Sequence, residues 1–142
     1  MKFEDFKEGQ EFVSGTRTVS QDEMIEFARR YDNQPMHTDP AAAAASPFGG
    51  LIASGFMTLA VAWQLWLDMG LQGEDGRGGI AMERVRWYKP LRPGDTVRAT
   101  VTIGEHRVSS KGHGIVNWAF MLRDEAGEPM LSFDTTGILA RR

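Results

Sequence analysis

The sequence predicts an α+β fold in which an antiparallel sheet wraps around one long helix. Two observations point to it. Residues 51–69 are apolar nearly all round, with Leu51, Phe56, Leu59, Ala60, Trp63 and Leu67 spread over every side, and such a helix must be covered by other structure. Downstream, the segments 80–88, 96–107, 114–123 and 130–139 are rich in β-favouring residues, half-alternating, and separated by turn signals at Pro90, Pro93-Gly94-Asp95, Lys111-Gly112 and Glu125-Ala126-Gly127-Glu128. A sheet that keeps one face apolar satisfies both the helix and the strands.

The elements follow in order. Residues 11–19 carry Phe12, Val13, Thr16, Thr18 and Val19 after Gly9, which reads as a first strand. Ser20 then serves as an N-cap with Glu23 completing a capping box, and Met24, Ile25, Phe27 and Ala28 give the following helix, to Tyr31, its apolar face. Proline at position 35 is expected to hold the next residues off a regular helix, in a turn. Residues 39–45 read as a short helix capped by Asp39, with Pro40 in its first turn and alanines supplying the propensity. The long apolar helix comes next, then a glycine-rich loop over 70–79, then four strands expected to run as an antiparallel meander. All 142 residues are expected to form one domain.

Composition excludes several functions. The sixteen Lys and Arg are dispersed among nineteen acids for a net charge of -3, so no basic stripe points to nucleic acid. Absence of cysteine removes disulfides, a thiol nucleophile and thiolate metal sites. His37, His106 and His113 form no recognised zinc spacing, so no metal is expected. The N-terminal residues are charged where a secretory signal would be apolar, and the apolar stretch falls short of a membrane span. A cytoplasmic protein with no membrane partner is the expectation.

Acid, base and proline concentrate in Tyr31-Asp32-Asn33-Gln34-Pro35-Met36-His37-Thr38-Asp39. A carboxylate and an imidazole five positions apart around a proline can converge from either side of a turn, and His gives and takes a proton near neutrality. An exposed polar loop after a helix is the structural alternative. Asp39 suits a cap better than a third catalytic carboxylate, and Asn33 and Gln34 either orient Asp32 or satisfy the turn.

Together with Phe27-Ala28, these residues resemble the hydratase motif of the MaoC-like hydratases and dehydratases, in which an Asp and a His flank an Asn-Pro. Gly55 stands where that family has a His-Gly pair opening its central helix. Val85-Arg86-Trp87-Tyr88-Lys89-Pro90 and Pro93-Gly94-Asp95-Thr96 are similar to its later strand and turn. The resemblance spans nearly the whole chain and implies a hotdog fold. It also implies homodimers or dimer-based oligomers whose sheets join edge to edge, and acyl thioesters of coenzyme A as substrates with no further cofactor. The motif departs at Gln34 in place of Asn, at Ser54 in place of His, and at Trp63 where some members have serine.

On that resemblance, Asp32 and His37 add water to the double bond of a 2-enoyl thioester. Gly55 donates its amide to the thioester oxygen, as a helix N-terminus suits; the alternative for Gly55 is close packing of helix on sheet. Ser54 is either a substrate contact or a hydrogen bonder at the helix entry. Arg84, Arg86 and Lys89 are candidates for coenzyme A phosphates, a solvated strand face being the alternative. His106 and His113 read as parts of a solvated hairpin, and the tryptophans as core, interface or acyl-tunnel residues. The competing functions are an acyl-CoA thioesterase on the same fold and a noncatalytic acyl-thioester-binding subunit.

Overall fold

The computed structural model describes residues 1–142. Its elements are β1 (Glu11–Thr18), α1 (Gln21–Tyr31), α2 (Pro35–Thr38), α3 (Pro40–Ala44), α4 (Gly55–Asp68), β2 (Gly76–Trp87), β3 (Thr96–Val108), β4 (Gly114–Asp124) and β5 (Pro129–Leu139). All five strands form one antiparallel sheet in the order β1-β3-β4-β5-β2.

The apolar pattern of α4 is resolved by what surrounds it. Met57, Val61, Ala62, Leu65 and Trp66 are buried against one face of the sheet. That face is built by alternation: Val97, Ala99, Val101 and Ile103 on β3, Val116, Trp118, Phe120 and Leu122 on β4, and Leu131 and Phe133 on β5. Phe6 and Phe12 close the core around Trp66, at ring centroid distances of 6.1 and 5.8 Å. No helix is long and apolar enough to cross a membrane.

Several local expectations hold. Ser20 Oγ accepts from the Glu23 amide and the Glu23 carboxylate accepts from the Ser20 amide, closing the capping box of α1. Asp39 accepts from the amides of Ala41 and Ala42 and so caps α3.

Four expectations need correction. Only β3, β4 and β5 form a meander, because β2 pairs with β5 at one edge and β1 with β3 nearer the other. The β2–β3 connection holds Pro90 and Pro93, which cannot donate to a ladder, and it is pinned across the end of the sheet. Leu91 accepts from the Ala53 amide at 2.8 Å, and Val19 accepts from Gly94 at 2.8 Å, which delivers the chain beside β1. The central helix begins at Gly55, since residues 51–53 are buried but lie outside the helix, with the Ile52 amide spent on Met36 and that of Ala53 on Leu91. Pro35 opens the single helical turn α2 instead of preventing one, as the first helical position needs no amide donor. Lastly, β2 starts at Gly76, inside the expected loop.

Candidate active site

Three short stretches meet at the dyad. Asp32 is the C-cap of α1, with its amide bonded to the Ala28 carbonyl at 2.9 Å. His37 lies in α2, buried at 5% exposure. Residues 52–54 lead into α4 and touch both, Ile52 at His37 and Ser54 at Asp32. Asp32 Oδ2 and His37 Nε2 stand 3.4 Å apart.

Each group is held on its far side. His37 Nδ1 lies 2.8 Å from the Ile52 carbonyl oxygen, which can only accept, so Nδ1 carries the hydrogen and Nε2 presents its lone pair in the neutral ring. Asp32 Oδ1 accepts from Gln34 Nε2 at 2.6 Å, and Oδ2 accepts from the Ser54 hydroxyl at 2.7 Å. Two acceptor atoms therefore face each other, an arrangement that matches a water donating one hydrogen to each and keeping its lone pairs free.

Asp32 is held below the usual carboxylate range by the Ser54 hydroxyl first and the Gln34 amide second. Partial burial opposes this, and the charge of protonated His37 adds to it. A folded-state pKa below the unfolded one stabilises the protein above the unfolded value, and that contribution is lost as pH falls through the folded pKa. Ser54→Ala removes the largest cause, so the Asp32 pKa should rise, as a carboxyl carbon-13 NMR titration would read. The same change removes a helix cap, Ser54 Oγ accepting from Phe56 N at 3.2 Å, and should cost about 1 kcal/mol in denaturant unfolding from the cap alone. An unmoved Asp32 titration would refute the orienting role.

Gly55 follows Ser54 as the first residue of α4. The Ser54 carbonyl accepts from Met57 and Thr58, and the Ser54 hydroxyl from Phe56, while the Gly55 amide has no acceptor within the helix. Trp87 covers this glycine. Its indole N–H donates to the Gly55 carbonyl at 3.2 Å, and a Cβ at position 55 would stand 2.9 Å from the ring. Close packing and an amide left free by the helix thus coexist at Gly55.

The three cations sit elsewhere. Arg84, at φ 52 in an irregular part of β2, donates to Asp134 from Nε at 2.6 Å. Arg86 lies over the Tyr88 ring at 5.2 Å, and Lys89 is engaged by Asp124 and by Glu128, the latter at 3.1 Å. His106 is not solvated as expected: it is half-buried, stacked on Phe3 at 3.9 Å, and its Nε2 meets the Phe3 carbonyl at 2.8 Å. What the residue pattern did not offer was the Ile52 carbonyl that fixes the His37 tautomer and the Trp87 cover over Gly55. A main-chain acceptor has no sequence signature. Trp87 reads from the sequence as core, interface or acyl-tunnel residue, none of which points to a cover over the start of the helix.

The family description "MaoC like domain" matches residues 5–118. The chain belongs to the MaoC-like domain family. Among curated relatives of this MaoC-like protein, uncharacterised YdeM of Bacillus subtilis is 34% identical over 116 residues, 82% of each chain. The (R)-specific enoyl-CoA hydratase of Rhodospirillum rubrum is 32% identical over 108 residues, covering 71% of this chain and 68% of that one. The crystal structure of the MaoC-like dehydratase from Rhodospirillum rubrum superposes with a TM-score of 0.87 at 31% identity, over 100% of this chain and 98% of that one. The sheet wrapped around α4 is the hotdog fold.

Proposed function

We propose that this MaoC-like protein adds water reversibly to the double bond of a trans-2-enoyl thioester of coenzyme A, forming the 3-hydroxyacyl thioester. The observation that carries the reading is the facing pair, His37 Nε2 and Asp32 Oδ2 at 3.4 Å, with each group's far side already occupied. The similarity to a protein named as an enoyl-CoA hydratase supports the same substrate class.

Water bridges the dyad atoms from one side, at about 2.8 Å from each. Its oxygen bonds to C3 while His37 Nε2 removes one hydrogen, and the π electrons move through C2 onto the thioester oxygen. Asp32 is the weaker base, because two hydrogen bonds stabilise its charged form, and it holds the second hydrogen and steadies the imidazolium. The Gly55 amide donates to the enolate oxygen as charge develops there. Nε2–H then returns its proton to C2, so the dyad ends as it began, and dehydration is the reverse path.

The test is a panel of 2-enoyl-CoA thioesters followed both for loss of the conjugated double bond and for free thiol. Hydration without thiol is the expected outcome. Thiol release without hydration would replace the reading by a thioesterase, and silence in both signals by an acyl-thioester-binding subunit. For the coenzyme A phosphates the proposal is Arg86, which has no carboxylate partner, with Arg84 and Lys89 contributing only where the phosphates displace Asp134, Asp124 and Glu128; it includes no cofactor beyond the substrate and a cytoplasmic location.

The proposal includes a homodimer. β2 pairs only with β5, and its outer edge is bare, with Ile80, Met82 and Trp87 at 56%, 48% and 48% exposure. An unpaired edge of this length invites a second strand, and a two-fold axis supplies one. Sedimentation should return twice the chain mass, and a stable monomer would overturn the pairing.

A further inference from the structure

We propose that Arg98 and Arg123 form a binding site for a phosphate group on the face of the sheet turned away from α4, a site that does not depend on the dyad or on the hydratase reading. Alternation settles the face. Val97, Ala99 and Leu122 are buried in the core, so the residues that alternate with them, Thr96, Arg98, Thr100 and Arg123, stand on the opposite side. Register settles the row: Thr16 of β1 pairs with Arg98 of β3, and Arg98 pairs with Arg123 of β4. Residues directly opposite on antiparallel strands have Cβ atoms about 5 Å apart, so both guanidinium groups can close on one anion.

A sheet selected for stability alone would not keep this pairing. Like charges directly opposite one another are unfavourable, and a carboxylate in place of either would remove the conflict. The chain is not short of acids, having nineteen against sixteen Lys and Arg. Elsewhere it uses them, on Arg17 through Glu23, on Arg84 through Asp134 and on Arg107 through Glu105. Arg98 and Arg123 have neither an ion pair nor a hydrogen bond within the protein.

A cavity of about 460 Å³ lies over the row, lined by Thr16, Thr96, Arg98, Thr100 and Arg123 together with the start of the β4–β5 turn. Its donors converge. The hydroxyls of Thr16 and Thr100 are uncommitted within the protein, whereas that of Thr96 is shared with Thr18 at 2.6 Å. Two carboxylates border the same space: Asp124 is occupied by Lys89 and by the Glu128 amide at 2.9 Å, and Glu125 stands beyond ion-pair distance of both arginines. Two guanidinium forks flanked by hydroxyls match the charge and the several oxygens of a phosphate better than a single carboxylate. With almost no apolar side chain in the lining, an acyl chain has nothing to bind here.

The test titrates inorganic phosphate into the full chain by calorimetry at constant ionic strength, using wild type, Arg98→Gln, Arg123→Gln and, as a control, Arg29→Gln on the exposed side of α1. Saturable binding to wild type is expected, weakened by about tenfold or more in each of the first two variants, as loss of a charge-assisted hydrogen bond implies, and unchanged in the control. Phosphate should also raise the melting temperature of wild type above the value in chloride, and do so less in Arg98→Gln. Without phosphate, Arg98→Gln should melt no lower than wild type, because a like-charge contact has gone. Absence of saturable binding to wild type, or binding that survives both substitutions, overturns the site. Repeating the titration with coenzyme A present identifies the source: competition makes the coenzyme's own phosphates the occupant, and indifference assigns the site to a separate phosphorylated molecule. None of these readouts requires hydration, so loss of the hydratase reading leaves the result intact.

Discussion

His37→Ala and Asp32→Asn are each expected to lower hydration by about 100-fold or more, the range for a positioned acid–base group, while the protein stays folded. The alanine removes Nε2, the basic atom that the Ile52 carbonyl turns towards Asp32. The asparagine keeps nearly the same shape but loses the charge, and it presents an amide hydrogen pair where Gln34 and Ser54 both donate. Both effects should appear in kcat/KM, with circular dichroism and thermal unfolding as the check on folding. Near-normal turnover by either folded variant would remove the dyad from the chemistry and leave it a structural polar pair.

Trp66→Ala is expected to have the largest effect on stability. Trp66 is fully buried, packs against Phe6, Phe12 and Trp118, and donates its N–H to Gln72. Truncating so large a buried side chain costs about 3–5 kcal/mol, lost transfer and cavity together. Against the roughly 5–15 kcal/mol of a typical domain, that is a large share. Equilibrium urea unfolding should show it as a lower midpoint with little change in slope; a shift under about 1 kcal/mol would mean the neighbours collapse into the space. Trp66 lies away from Asp32, so the folded fraction should retain turnover, which separates this effect from that of the dyad.

Much of this was legible from the residues, for identifiable reasons. β-favouring runs and turn signals placed β3, β4 and β5, and the Ser20–Glu23 and Asp39 caps were written in nearby residues, where local chemistry decides structure. Strand order was not, because local periodicity carries no record of which strand lies beside which. The displacement of β2 depends on how residues 88–95 are tied to Ala53 and Val19, contacts separated by dozens of positions. Residues 51–53 misled for a different reason: a short buried apolar run looks alike as helix or as extended chain. At the site, Asp32 and His37 stood out because acid, base and proline sit close in sequence. The Ser54 contact to Asp32 did not, since the two stand 22 positions apart and only the fold brings them together.

The hydroxyl of Ser54 faces two ways, its hydrogen towards the Asp32 carboxylate and its lone pair towards the first turn of α4. A chain whose central helix has not yet wound has no fixed donor at that point, and its carboxylate is free to turn away. Completion of the core thus becomes a condition for assembling the water site, so a partly folded molecule is an idle one rather than a poorly selective one. A single oxygen atom ties readiness for chemistry to the state of the interior.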